Sequence, residues 1–117
     1  MRHTARALPI ARPVQDYAVR LTLGTHPDSP HATPDIRTLV RYGASPRAAQ
    51  ALVLGAKIHA LTHGASSASE EDVRAIATPA LRHRMILNFE GEVARVDTDT
   101  LIADLLKATP GAASDRG

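Results

Sequence analysis

Three groups of residues in this chain have the types and spacing that chemistry needs. The first is a single cation, Arg47, inside the run YGASPRAAQALVLGAKIHALTHG from Tyr42 to Gly64. Ser45 is placed to cap a helix start, and Pro46 to fill the first helical position, where a missing N–H costs nothing. Arg47 then falls on the first turn. The positive end of the helix dipole opposes a cation there, so Arg47 calls for an anion. A guanidinium is permanently charged and forked, which suits phosphate and carboxylate oxygens alike. On the residues alone, a surface salt bridge and a bound phosphate satisfy it equally well.

The second group is His59 and His63, four apart on the same helix. That spacing puts two imidazoles on one face. No glutamate stands beside His59, so the zinc-protease pattern fails. A metal site also needs an ordered surround that two ligands alone do not supply. The expectation is no metal, with both histidines at the polar edge of an apolar helix. The third group is Arg82-His83-Arg84. Arg82 and Arg84 read either as secondary phosphate or interface contacts, or as a solvated, salt-bridged helix end, where the dipole favours cations.

The missing patterns narrow the field further. The chain has no GxxxxGK[ST] phosphate loop and no strand ending in paired acids to hold magnesium. It therefore lacks the usual parts for hydrolysing a nucleotide alone. Nothing in the spacing pairs a serine nucleophile with a base and an oxyanion hole.

Stepping outward, 117 residues suffice for one domain with a modest core. Hydrophobic residues make up 44% but aromatics only 3%, so the core must be Ala, Leu, Val and Ile, which favours close-packed helices. The formal net charge of +2, with no basic run, gives no electrostatic case for a nucleic-acid partner. With no cysteine there is no disulfide framework and no thiolate zinc site. No stretch reaches the roughly 20 apolar residues of a membrane span. The N-terminal MRHTARALPIARP lacks the continuous apolar core of a signal peptide. A cytoplasmic protein, or a piece of one, is expected.

The elements follow from periodicity and caps. Residues 1–13 read as an irregular arm or linker remnant, 14–108 as the helical domain and 109–117 as a disordered tail. Val14, Tyr17, Ala18 and Leu21 mark a first helix. Residues 27–38 hold three prolines and read as a long loop, either a connector or a functional segment. The Arg47 helix follows and ends at Gly64, suited to a left-handed terminus. It is apolar nearly all round, which predicts burial. Ser69 caps a third helix with Asp72 as a near capping box. Pro79 is expected to break or restart it. Met85 to Phe89 is either extended or a helix end. Asp97 or Thr98 starts a final helix striped by Leu101, Ile102, Leu105 and Leu106. The sum is an all-α fold, a small four-helix bundle with a long loop between the first two helices.

Three blocks together resemble one family. They are residues 42–64 (quoted above), EEDVRAIATPALRHRMILNFEGE at 70–92 and VDTDTLIADLL at 96–106. They are similar to the C-terminal lid domain of MoxR-type AAA+ ATPases, from about Val14 to Leu106. The resemblance implies a bundle of AAA+ lid type that packs over ATP and magnesium held by a separate α/β core. It also implies that Arg47 is the sensor-two residue reaching the terminal phosphates, presented by the turn Gly43, Ala44, Ser45 and Pro46. It implies neighbouring subunits in a ring, commonly a hexamer, and chaperone-like maturation or activation of client proteins. The core's motifs have no counterpart in these 117 residues. Alone, the chain is expected neither to hydrolyse ATP nor to bind it tightly. The alternative is a stand-alone helical interaction module with no nucleotide role.

Overall fold

The computed structural model describes residues 8–111. The expectations for residues 1–7 of the arm and 112–117 of the tail lie outside them. Among the described residues are α1 (Arg12–Gly24), α2 (Pro34–Leu39), β1 (Val40–Tyr42), α3 (Arg47–Thr62), α4 (Glu70–Leu81), β2 (Ile86–Leu87), α5 (Phe89–Val93) and α6 (Thr98–Ala108). The four long helices are the four that periodicity marks, and the class is all-α. Two short helices and one antiparallel pair, β1 with β2, complete the fold.

Two of the long helices, α4 and α6, begin on a side-chain cap, whereas α1 and α3 start from Ala11 and Pro46 without one. Ser69 and Asp72 form a full capping box at α4: the Ser69 hydroxyl accepts from the Asp72 N–H, and the Asp72 carboxylate accepts from the Ser69 N–H. Asp97 caps α6 by accepting from the Asp99 N–H at 3.1 Å. At the end of α3, Gly64 sits at φ +74°. Its N–H donates to Leu61 O, and the Ala65 N–H donates to Ala60 O at 2.9 Å, which closes the helix with both crossing bonds of a Schellman turn.

The core lies where α1, α3, α4 and α6 meet. Tyr17, Leu21, Leu52, Val73, Leu81, Leu101, Ile102 and Leu105 are buried in it. α3 packs most extensively on α4 and next on α1. It does so through a narrow stripe, Ala48, Leu52, Ala56 and Ala60, four residues apart. Small side chains there let the helices approach closely.

Several expectations change. α3 is not buried all round: Ile58 is 47% exposed and Leu61 50%. The described partners cover one side of it, so its apolar composition exceeds what this domain alone buries. The loop at 27–38 is shorter than it reads, because α2 occupies its end. Thr33 caps α2 by accepting from the Ile36 N–H, and Pro34 takes the first turn. The last of the three prolines, Pro34, starts a helix instead of preventing one. Pro79 does not break α4, which runs through it to Leu81. Pro79 and Ala75, whose carbonyl loses its i+4 donor, are both exposed, so water can satisfy the orphaned oxygen. Arg12 and Pro13 are already helical, and Ile10 bridges to Ala68, tying the segment before α1 to the loop before α4. At the other end Thr109 is buried and its hydroxyl donates to Leu105 O, while Arg20 donates to Pro110 O at 2.8 Å. Those two residues of the tail are held in place.

Candidate functional site

The turn before α3 is built from both sides. Gly43 lies against the backbone at the end of α1: a Cβ on it would stand 2.6 Å from the Thr25 carbonyl and 2.7 Å from the His26 nitrogen. Only glycine permits that approach without movement. The next residue is then clamped at both ends of its peptide unit. The buried Thr25 hydroxyl accepts from the Ala44 N–H at 2.8 Å and donates to Thr22 O at 2.7 Å. His26 Nε2 donates to Ala44 O at 2.7 Å, since a carbonyl can only accept. Ser45 contributes its carbonyl, which accepts from the Ala48 N–H at 2.8 Å; it does not cap the helix through its hydroxyl as the sequence suggests. Pro46 already has helical angles, φ −56° and ψ −24°.

This clamped turn presents Arg47. The side chain is exposed and makes no hydrogen bond or ion pair with any described residue. It lines an open groove of about 750 Å³ together with Gln50, Leu54, Lys57 and Arg84. Three basic residues and no acidic one face this groove. Its electrostatics therefore favour an anion at the dipole-positive end of α3. Sequence reasoning missed Lys57. The signal was available, since 47, 50, 54 and 57 fall on one helix face. It also missed the Thr25–His26 clamp, which depends on a contact between segments eighteen or nineteen residues apart.

The structure separates the two arginines of the third group. Arg84 shares the groove with Arg47, its Nε donating to Ala80 O at 2.9 Å. Arg82 is paired with Asp99 through Nε and Nη2, each 2.8 Å from one carboxylate oxygen. That forked pair joins the end of α4 to the start of α6. Hydrogen bonding to Arg82 holds the Asp99 carboxyl below the usual carboxylate range. Both groups are exposed, so the pair sets orientation more than stability.

At the far end of α3, His59 Nδ1 lies 2.7 Å from Asp72 Oδ1. Burial pushes the Asp72 pKa up, but its bonds to His59 and to the Ser69 N–H and hydroxyl outweigh that and lower it overall. Serine, histidine and aspartate meet here without forming a hydrolytic triad. The Ser69 hydroxyl bonds the carboxylate at 2.9 Å, whereas a nucleophile must bond the imidazole. Among the described residues no group of three or more histidines and acids is placed to hold a metal.

The groove is lined by basic, amide and apolar side chains and carries no carboxylate. Residues 34–105, more than half of the chain, match the family described as AAA lid domain. Over 92 residues the chain is 28% identical to the chaperone MoxR1 of Mycobacterium tuberculosis (strain ATCC 25618 / H37Rv), covering 79% of this chain and 24% of that protein. A crystal structure presented as that of an inferred ATPase from Cytophaga hutchinsonii ATCC 33406 superposes with a TM-score of 0.86 at 27% identity, over 92% of this chain and 33% of the other. The chain thus spans about a quarter of the curated relative and a third of the solved one. Its fold is that of the solved structure over the matched portion, and no helix among the described residues is long and apolar enough to cross a membrane. The chain belongs to the AAA lid domain family.

Proposed function

We propose that this lid supplies Arg47 as the sensor-two arginine to ATP bound by a separate AAA+ core, and so helps couple ATP hydrolysis to chaperone-like maturation or activation of client proteins. One observation carries the reading. Arg47 is an exposed cation without a described partner, set on a doubly clamped turn at the mouth of a basic groove. A fixed guanidinium is worth most where phosphoryl charge develops, in a closed site that excludes water. Arg84 is the second phosphate contact in this reading, and Arg82 a structural one. The core supplies the phosphate loop and the magnesium ligands. The ring assembly, commonly hexameric, and the cytoplasmic setting belong to the same proposal. The test is ATP turnover by the protein that joins this lid to its core. Arg47→Ala should slow it by about a hundredfold or more, as loss of one transition-state donor does. Unchanged turnover and nucleotide affinity would remove the assignment.

A second reading has one observation in its favour. The chain's single phenylalanine, Phe89, is 83% exposed, and Tyr42 and Ile86, partners across the β1–β2 pair, are each 55% exposed. An exposed aromatic patch marks contact surface. If Phe89→Asp abolished capture of a protein partner, and Arg47→Ala and nucleotide left that capture unchanged, the interaction-module reading would replace the first.

A further inference from the structure

The outer side of α3 carries apolar surface that the described domain leaves open. Its buried stripe is Ala48, Leu52, Ala56 and Ala60. Leu54, Ile58 and Leu61 recur at helical spacing, which places them on the opposite side of the helix. Ile58 is 47% exposed and Leu61 50%; on α1, Val19 is 45% and Leu23 44% exposed. Val19 lines the groove beside Arg47 together with Val53 and Leu54. Val19 and Ala49 also line a smaller apolar cavity of about 180 Å³, with Leu23 and Pro46. The two cavities thus join into one apolar trough between α1 and α3, which Ile58 and Leu61 prolong along α3. From Arg47 to Leu61 it runs about 21 Å, at 1.5 Å per residue. The charged side chains lining it, Arg47, Lys57 and Arg84, are all basic.

We infer that this trough docks an acidic amphipathic helix of another protein. Apolar side chains of the partner, three and four residues apart, fill the trough along Val19, Leu54 and Ile58. Its glutamates or aspartates meet the basic rim. The backbone decides between a helix and an extended segment. An extended segment would bring unpaired N–H and C=O groups onto a mainly apolar floor, where the larger cavity offers the amides of Gln15 and Gln50. A helix satisfies its own backbone and needs no such partners. Charge decides among the remaining occupants. A second copy would set the same basic rim against itself, and like charges across an interface are costly. Residues 1–7 of this chain hold two arginines and no acid, and residues 112–117 hold no large apolar side chain, so neither end of the chain has the complementary chemistry. The apolar contacts lie beyond the first turn of α3, so the inference stands whether or not Arg47 meets a phosphate.

The probe is a labelled synthetic helix of about 18 residues, roughly 27 Å long, with a leucine stripe flanked by glutamates. Its binding to the chain is read by fluorescence anisotropy, beside a peptide in which lysine replaces every glutamate. Saturable one-to-one binding of the glutamate peptide is expected. Val19→Glu or Ile58→Glu should weaken it at least about tenfold, since each removes an apolar contact and adds a like charge. The lysine peptide should bind weaker by a similar factor. Phe89→Asp, which does not line the trough, should change nothing. Val19 and Ile58 are nearly half exposed, so their variants keep the fold. Absence of saturable binding by the glutamate peptide would overturn the inference, as would equal binding of the lysine peptide or undiminished binding by both variants. A dimer of the chain that Ile58→Glu dissolves would assign the trough to a second copy instead. Binding by the isolated chain that vanishes in the core-bearing protein would assign it to the core.

Discussion

The two ends of α3 are built on opposite plans. At the C-terminal end polar groups meet partners within the chain: the last carbonyls are closed through Gly64 and Ala65, and His59 meets Asp72, itself held by Ser69. At the N-terminal end comparable precision goes into the turn, where Thr25 and His26 fix Ala44, and yet the residue presented there is left without a described partner. A rigid support beneath an unsatisfied charge is what a ligand contact requires and what a stability device avoids. Under the proposed function, the cation left for a ligand is Arg47. Arg47 points to solvent against an unfavourable dipole. Arg82, on the neighbouring helix, is spent on Asp99.

Substitutions can break this contrast, and the largest stability loss should come from the support. Thr25→Val removes the acceptor for the buried Ala44 N–H and should destabilise the chain by about 1–3 kcal/mol, read by chemical denaturation. In the core-bearing protein it should also weaken nucleotide affinity, because Arg47 loses its fixed base. A stability loss with unchanged affinity would mean that the clamp does not position the arginine.

Next in size is the other end. Asp72→Asn disrupts the capping box and the bond to His59, for about 1–2 kcal/mol at neutral pH. The Asp72 pKa is lowered on folding, so its contribution is fully present above the unfolded carboxylate value and is lost as pH falls through the folded one. The wild-type chain should therefore lose stability on acidification more steeply than Asp72→Asn does. Parallel acid limbs would show that Asp72 is not held as described.

The smallest effect should have the opposite sign. Arg47→Ala removes a cation from a first helical turn and introduces the best helix former. The isolated chain should gain about 0.3–1 kcal/mol at low salt, less as salt is added. A loss of stability would mean that Arg47 is a structural residue, and the contrast between the two ends would fail.

Much of the fold was legible because its signals are local. The Ser69–Asp72 box, Gly64 and the Leu101–Leu105 stripe each act within one or two turns, and each does what its sequence says. The prolines were read less well. Pro34 lies in a proline-rich stretch yet starts a helix because Thr33 caps it, and Pro79 is tolerated because its side of α4 is exposed. Pairing of Val40–Tyr42 with Ile86–Leu87 was out of reach, since strands of three and two residues carry no period. The same holds at the site. Arg47 stands out by its helical position, but Thr25 and His26 reach Ala44, and Arg84 the groove, only through the tertiary fold, and nothing in the spacing separates Arg82 from Arg84.

Under the proposed function, Arg47 reads the terminal phosphate of a bound nucleotide. The most direct measurement is the affinity of the core-bearing protein for ATP and for ADP, before and after Arg47→Ala. A substantial loss of ATP affinity is expected, and a much smaller loss for ADP, which lacks the phosphate that Arg47 would contact. Equal losses for the two nucleotides, or none for either, would contradict it.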